Sequence, residues 1–544
     1  MKFTVKAIMV AAALVVGSGG SAFADTPITV VGQKSNTGWF EAKTSHFSVY
    51  AQMSYDDIRR YAEELERYDG ALRQIVGGTT TTPVSVYVVD TFADVQKLGG
   101  SSGIAGFYNA TAQGAVAVTP RQSVVRNDFK FTARQILFHE YAHHILLSSE
   151  NDSLPGWMTE GAAEFFGTAT IGKDGSVTLG ATPQVRGFSI AGMNHWSVPD
   201  LLNSDKRKMS QEESEQRYSR GWLMYHYLML NVERKGQLPK FVKLLNSGAD
   251  PLDAGKQVFG DLKKLDTELD RYLHRSTFPG FTFVPTALKN GVNVDIRPLR
   301  QGEADMMPYR MISTVGVNEE RAKTLLKSSR PVAVKYPSDT WVQRTITEME
   351  YDARNWKETE AAADRTLALE PENVLALLYK GRVHGQLAYP TKDAAGWKTA
   401  RALFLKANRI EPDYALPFVL YYDSFGAAGQ KANESAINGL LRAAVLVPED
   451  LSIFVRIGLL RIADRDQVGA AKVFNRLAAN PEAGGLAASA RKVAEKLDAK
   501  ASDEDIDAAI KEANFDLMNE FTPPEVYKER AKKGKDGKKG KDGK

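Results

Sequence analysis

The residues best suited to chemistry lie in two short stretches, Phe138-His139-Glu140-Tyr141-Ala142-His143 and Trp157-Met158-Thr159-Glu160-Gly161-Ala162-Ala163-Glu164. His139 and His143 are one helical turn apart within a helical run over 133–147, so both imidazoles project from one face. That is the spacing two zinc ligands require. Glu140 stands one turn before His143, where a carboxylate can take a proton from metal-bound water. Catalytic zinc needs a third protein ligand and a fourth position left to water, and Glu160 is the candidate third ligand. Glu160 and Glu164 are also one turn apart and share a face. One can bind metal while the other accepts the N–H of a ligand histidine and so sets its tautomer. The plain alternative for the second stretch is an amphipathic helix with solvated glutamates. The two stretches together, in this order and joined by a short connection, favour the metal.

Several elements must hold these residues in place. The turn Leu154-Pro155-Gly156 introduces a second helix that runs to Phe166, with Pro155 near its start. Upstream, residues 37–120 read as an α/β lobe. Residues 46–50 alternate as a strand, and 54–76 form a helix capped by Ser54, with Asp56 and Asp57 in its first turn and Gly77-Gly78 at its end. Residues 83–89 are a second strand and 92–98 a short helix. The glycine cluster at 99–103 is followed by no Lys-Ser/Thr, so it is a loop and not a phosphate cradle. Residues 104–108 and 114–118 read as a hairpin. Strand 114–118 is either a sheet edge open to an extended peptide or an internal strand. Downstream come strand-like pieces at 170–179, a loop toward 200–202, and helices near 215–233, 237–245 and 262–273.

The joint pattern resembles the gluzincin zinc metallopeptidases, in particular the peptidase-MA-like group, over roughly residues 37–275. His139, Glu140 and His143 match the first motif of that family, and Glu160 in Trp-x-x-Glu-Gly-x-x-Glu matches its third-ligand motif. The resemblance implies a zincin-like α+β domain with His139, His143 and Glu160 as metal ligands and Glu140 as general base. Arg217-Tyr218-Ser219-Arg220-Gly221-Trp222 resembles the Tyr-x-Lys/Arg-Gly segment of gluzincin aminopeptidases. That resemblance implies that Tyr218 stabilises the tetrahedral intermediate; the alternative is a tyrosine packed at a helix end. The Gly-x-Met-Glu-Asn amine-recognition signature of those aminopeptidases does not occur, which turns the expectation toward an endopeptidase.

The chain has 544 residues, 43% hydrophobic and 25% charged. This is ordinary globular composition, with room for roughly two to four domains. The net charge of +4 is uneven: residues 530–544 carry +6, leaving −2 for the rest. Basicity therefore belongs to a tail, and no nucleic-acid face is expected. With no cysteine, neither a disulfide framework, a thiolate ligand nor a cysteine protease is possible. Lys2 and Lys6 precede an apolar run over 7–16, and Ala22-Phe23-Ala24 fits a signal-peptidase site. The expectation is a leader over 1–24, cleaved after Ala24, and a periplasmic or secreted mature chain without a transmembrane anchor.

The remaining histidines, His46, His144, His195, His226, His274 and His384, lack ligand spacing to one another. His144 points about 100° from the ligand face. His226, two turns beyond Tyr218, either packs structurally or approaches the site. The expected peptidase domain spans 25–280, and a connector without an assigned role spans 281–330.

From about 331 to 500 the sequence repeats. Pro337, Pro371, Pro412, Pro448 and Pro481 close successive units of 34, 41, 36 and 33 residues. That is the tetratricopeptide period. Ala400, Phe404, Ala407 and Pro412 align with Ala436, Leu440, Ala443 and Pro448, resembling the second-helix Ala, Phe, Ala and closing Pro of such repeats. The 41-residue unit holds an insertion around Tyr389-Pro390-Thr391. An all-α solenoid is expected, either docking a protein or peptide or simply stacking on itself. Residues 503–518 read as a capping helix, and the Lys/Gly-rich end of the segment 501–544 as a disordered tail.

Taken together, these residues describe metal-assisted peptide hydrolysis with Zn²⁺ as cofactor, Glu140 and Tyr218 as catalytic residues and Glu164 behind a ligand. Two further readings stay open: a repeat-based interaction module whose peptidase lobe serves localisation, and an inactive zinc-binding scaffold.

Overall fold

The protein is described by a computed structural model covering residues 29–31, 38–77, 83–99, 106–126, 129–148, 154–184, 196–206, 210–275, 277–288, 292–480, 483–523 and 525–526. The leader, the glycine-rich loop after Gly99, His195 and the Lys/Gly tail from 527 lie outside the described residues.

The N-terminal half is mixed α/β and the C-terminal half is all helical. A six-stranded sheet is built from β2 (Trp39–Lys43), β3 (Phe47–Gln52), β4 (Val84–Val89), β5 (Phe107–Thr111), β6 (Gly114–Pro120) and β12 (Asp295–Pro298), in the order β12-β2-β3-β4-β6-β5. The β3–β4 and β4–β6 pairs are parallel, and the others are antiparallel. Two small sheets flank it. One joins β1 (Thr29–Val31), β7 (Ser123–Arg126) and β8 (Phe129–Phe131); the other joins β9 (Thr170–Ile171), β10 (Val177–Leu179) and β11 (Phe281–Phe283).

Strand β6 is internal, between β4 and β5, so the expected choice for 114–118 resolves to an internal strand. The sheet ends at β5 instead. A two-residue hairpin turn brings β5 back antiparallel outside β6, which is the cheapest closure available to consecutive strands.

Helix α1 (Tyr55–Val76) starts where Ser54 Oγ accepts the Asp57 N–H at 3.2 Å, and it stops at Gly77, whose φ of 80° suits only glycine. α2 (Phe92–Gly99) follows. Alternate residues of β4 serve two cores. Val84, Val86 and Val88 join the large core with α1, and Tyr87 and Val89 face α2 on the other side of the sheet. The first core also takes α3 (Ala133–Ser148), α4 (Gly156–Gly167), α5 (Val198–Leu202), α6 (Gln211–Leu230), α7 (Gln237–Asn246), α8 (Pro251–Phe259) and α9 (Leu262–Leu273).

Residues 281–330 do more than connect. β11 pairs with β10, and β12 closes the edge of the sheet beside β2. The helix pair α10 (Gln301–Val315) and α11 (Glu319–Lys335) follows, and Met307 and Met311 of α10 pack into the core on the second sheet face.

Four helix pairs then succeed one another: α12 (Thr340–Asp352) with α13 (Trp356–Leu369), α14 (Val374–Thr391) with α15 (Ala394–Ile410), α16 (Ala415–Ala427) with α17 (Glu434–Leu446), and α18 (Leu451–Ala463) with α19 (Gln467–Ala479). The aligned residues Ala400, Phe404, Ala407, Ala436, Leu440 and Ala443 are all fully buried. Both helices of the 41-residue unit are long: α14 has 18 residues against 13 in α12, α16 and α18, and α15 has 17 against 14 in α13 and 13 in α17 and α19. α20 (Gly485–Asp498) and α21 (Asp503–Glu512) close the array, and α21 ends earlier than expected, giving way to a single 3-10 turn at Phe515–Leu517.

Among the described residues no helix is long and apolar enough to cross a membrane.

Candidate metal centre

Helix α3 carries His139, Glu140 and His143, and α4 carries Glu160 and Glu164; every residue of α4 is buried. Burying a carboxylate is costly unless it is paired, so two of them on one apolar helix call for compensating groups. The structure brings Glu160 to both histidines. His139 Nε2 and His143 Nε2 lie 3.2 Å apart, and Glu160 Oε2 lies 3.6 Å and 3.5 Å from them. That oxygen is buried and has no hydrogen-bond partner.

These three separations test the fit of a metal. Ligands about 2.0–2.1 Å from a tetrahedral ion stand roughly 3.3–3.4 Å from one another. The observed triangle is within a few tenths of an ångström of that face. Two nitrogens and a carboxylate oxygen are also a donor set that suits zinc.

Electrostatics agree with the geometry. Burial opposes ionisation of Glu160, but the adjoining imidazoles, His143 first, outweigh it and hold the carboxyl well below the usual carboxylate range. Glu164 Oε1 stands 3.8 Å from His139 Nδ1, longer than a hydrogen bond but on the nitrogen that leaves Nε2 toward the triangle. Glu140 is 1% exposed on the same helix as the two histidines.

Tyr218 reaches the same place from α6. Its ring stacks on His139, with centroids 6.1 Å apart and planes at 25°. Tyr218 sits two turns inside the helix and not at its start, because Ser210 and Glu213 form a capping box that begins α6 earlier than expected.

Two glycines let α4 and α6 meet. A Cβ on Gly161 would lie 2.4 Å from the Gly221 carbonyl oxygen, and one on Gly221 would lie 2.6 Å from the Trp157 carbonyl oxygen. On the other side of α4, a Cβ on Gly167 would come within 3.0 Å of His139 Cβ. The glycines of both motifs are therefore contact points between backbones. Arg217 adds a tie: it donates to Asp205 at 2.6 Å, and Asp205 accepts the Gly156 N–H at 2.8 Å at the start of α4.

The other histidines have separate employment. His226 is hydrogen-bonded to the Gly180 carbonyl and to Tyr272, each at 2.9 Å, and burial pushes its pKa down to about 4, so it is a packed neutral imidazole outside the triangle. His144 turns away from the ligand face. Its Nδ1 meets the Tyr108 hydroxyl on β5 and lies 3.1 Å from Glu449 Oε1, a residue of the turn between α17 and α18. Burial pushes His144 down to about 3 and Glu449 up to about 8, so this contact is made by neutral groups near pH 7. The sequence carried no signal for Glu449 beyond its place after Pro448.

A second group, His46, Glu66 and Asp69, also offers three potential ligand atoms within 4.8 Å of one another. Here Arg73 Nε donates to both Asp69 oxygens at 2.7 and 2.8 Å, and Tyr141 donates to Asp69 at 2.6 Å. Its negative charge already has a cation.

Neither a scan against protein-family models nor a search of curated proteins returns a match for this chain. What the centre does must be argued from its own residues.

Proposed function

We propose that the chain is a zinc-dependent peptidase of gluzincin type, periplasmic or secreted, whose zincin-like domain is followed by a tetratricopeptide-type array that docks a substrate or partner protein. The single observation carrying this reading is the triangle of His139 Nε2, His143 Nε2 and Glu160 Oε2, with edges of 3.2–3.6 Å. Bound there, zinc would supply a water of lowered pKa and polarise a scissile carbonyl.

The chain's residues supply the rest. Glu140 accepts the proton of the attacking water and passes it to the leaving amine. Tyr218, stacked beside His139, donates its hydroxyl proton in a hydrogen bond to the developing oxyanion. Glu164, 3.8 Å from His139 Nδ1, favours through its charge the tautomer with Nδ1 protonated, which keeps Nε2 free to ligate. The terminal strand β5, fastened to α3 through Tyr108 and His144, offers its outer backbone groups to an extended peptide. The presence of Glu140 beside the ligands favours turnover over an inert zinc scaffold.

The test pairs elemental analysis with peptide-library cleavage. The purified mature chain should hold about one zinc, and Glu140→Gln should keep that zinc while losing hydrolysis by about 10²–10⁴-fold. A zinc-free protein, or unchanged cleavage by the variant, overturns the proposal.

A further inference from the structure

The first helices of the four pairs, α12, α14, α16 and α18, form a face that is already filled by parts of this chain. The tip of the β5–β6 hairpin enters at one side. The Ala112 N–H donates to Asp450 Oδ2 at 2.8 Å, Gln113 Nε2 donates to the Tyr379 hydroxyl at 3.1 Å, and the Tyr414 hydroxyl donates to the Gln113 carbonyl at 3.1 Å. Beside it runs the segment after the Phe515–Leu517 turn, Asn519-Glu520-Phe521-Thr522.

The array reads this segment by both backbone and side chains. Asn519 Nδ2 donates to the Asp423 carbonyl at 2.8 Å, the Glu520 N–H donates to Asp423 Oδ2 at 3.0 Å, and Gln386 Nε2 donates to the Glu520 carbonyl at 3.2 Å. Arg382 Nε and the Tyr351 hydroxyl donate to Glu520 Oε1 at 2.8 and 2.9 Å. The guanidinium lies over the rings of Tyr351 and Tyr379, at 4.3 and 4.8 Å from their centroids. Phe521 is fully buried edge-on to Trp397, with centroids 5.0 Å apart, in a space that exists because residue 385 is glycine: a Cβ there would lie 2.3 Å from the Phe521 ring.

Two features mark this as a binding site and not only as packing. With residues 519–522 in place Arg382 is buried and its guanidinium is paired with Glu520, so the occupied site matches a desolvated cation with an acidic residue. Glu520 engages Arg382 through one oxygen only, and Nη1 of Arg382 is buried without a hydrogen-bond partner. The resident carboxylate therefore leaves the guanidinium fork unfinished, and a ligand presenting two oxygens would bind it better.

We propose that this face binds an extended segment of a partner protein carrying an acidic residue followed by an aromatic one, and that residues 519–522 occupy the site in cis until such a segment displaces them. The inference is independent of the metal chemistry. Tethering gives the resident segment a high effective concentration, so a free peptide of the same sequence should compete poorly against it.

The test uses the full chain and a dye-labelled synthetic peptide of residues 514–526, read by fluorescence anisotropy. Phe521→Ala in the chain should raise peptide affinity at least about tenfold over wild type. Adding Arg382→Gln, or replacing the glutamate of the peptide by glutamine, should abolish the gain. A folded Phe521→Ala chain that binds no better than wild type overturns the proposal, as does a gain that survives Arg382→Gln. Where Phe521→Ala melts early, the milder Glu520→Gln is measured alongside it; if the peptide restores neither melting temperature, the segment is a fixed part of the array and the proposal fails. Concentration-dependent dimerisation of the wild-type chain that Phe521→Ala abolishes would replace the foreign segment by a second copy, overturning the partner assigned here.

Discussion

Among the described residues the N-terminal lobe brings together two clusters of nearly the same composition, and they differ in what else surrounds them. Among the described residues no Lys or Arg pairs with Glu160 where it meets His139 and His143, and Glu160 Oε2 has no hydrogen-bond donor there. His46, Glu66 and Asp69 converge just as closely, but Arg73 and Tyr141 complete that cluster, and the His46 N–H itself donates to Glu66 at 2.6 Å. Residue types and proximity therefore do not distinguish a ligand set from an ion-pair network. What distinguishes them is whether the protein has already supplied the positive charge.

This contrast can be broken most directly by exchanging the acids. Glu160→Gln should drop zinc from about one per chain to near none and remove hydrolysis, whereas Asp69→Asn should leave zinc content unchanged. Asp69→Asn should instead cost roughly 3–5 kcal/mol of stability, because it strips Arg73 of its buried counter-charge. Elemental analysis and urea unfolding of the two variants read both effects, and loss of zinc from Asp69→Asn would erase the distinction. A chelator should likewise lower the melting temperature of wild type and leave that of Glu160→Gln unmoved.

A smaller effect sharpens the metal side. Tyr218→Phe keeps the ring stacked on His139 and removes the donor. It should lower kcat by about 10²–10³-fold with KM little changed, as expected for a group that acts only in the transition state. An equal rise in KM would make Tyr218 a packing residue.

The smallest effect belongs to the ion-pair side. The hydrogen bond with Glu66 raises the His46 pKa above its ordinary 6.5, against the opposing effect of burial. A raised folded-state value means the stabilisation is present in full below pH 6.5 and fades as pH rises through the higher folded value. The stability difference between wild type and His46→Gln should thus shrink from acid toward alkaline pH. A difference that grows instead would mean that His46 is neutral in the fold.

Much of this was legible locally. The i, i+4 spacing of His139 and His143 and the cap at Ser54 follow from backbone geometry within a few residues, so they survive without knowledge of the rest of the molecule. The start of α6 was legible too, in Ser210-x-x-Glu213, and overlooking that capping box misplaced Tyr218 at a helix start. Other features were written in no local pattern. Strand β12 joins the sheet some 250 residues from its neighbour β2, and Met307 packs on a sheet face whose strands precede it by nearly 200 residues. Glu449 reaches His144 across a still longer separation. Such contacts depend on which surfaces remain uncovered once the other elements have packed.

The sequence by itself determined which side chains share a helical face, because residue spacing and helix pitch settle that within one element. It also carried the repeat length of the C-terminal half, in the spacing of Pro337, Pro371, Pro412 and Pro448. Only the tertiary structure decided that α4 and α6 approach closely enough, glycine against glycine, to bring Glu160 and Tyr218 to the same histidine. It also decided that the first-helix face of the array is filled from within, by Gln113 and Phe521, because which segment covers a surface is set by chain closure and shape across the whole molecule and not by any period in the sequence.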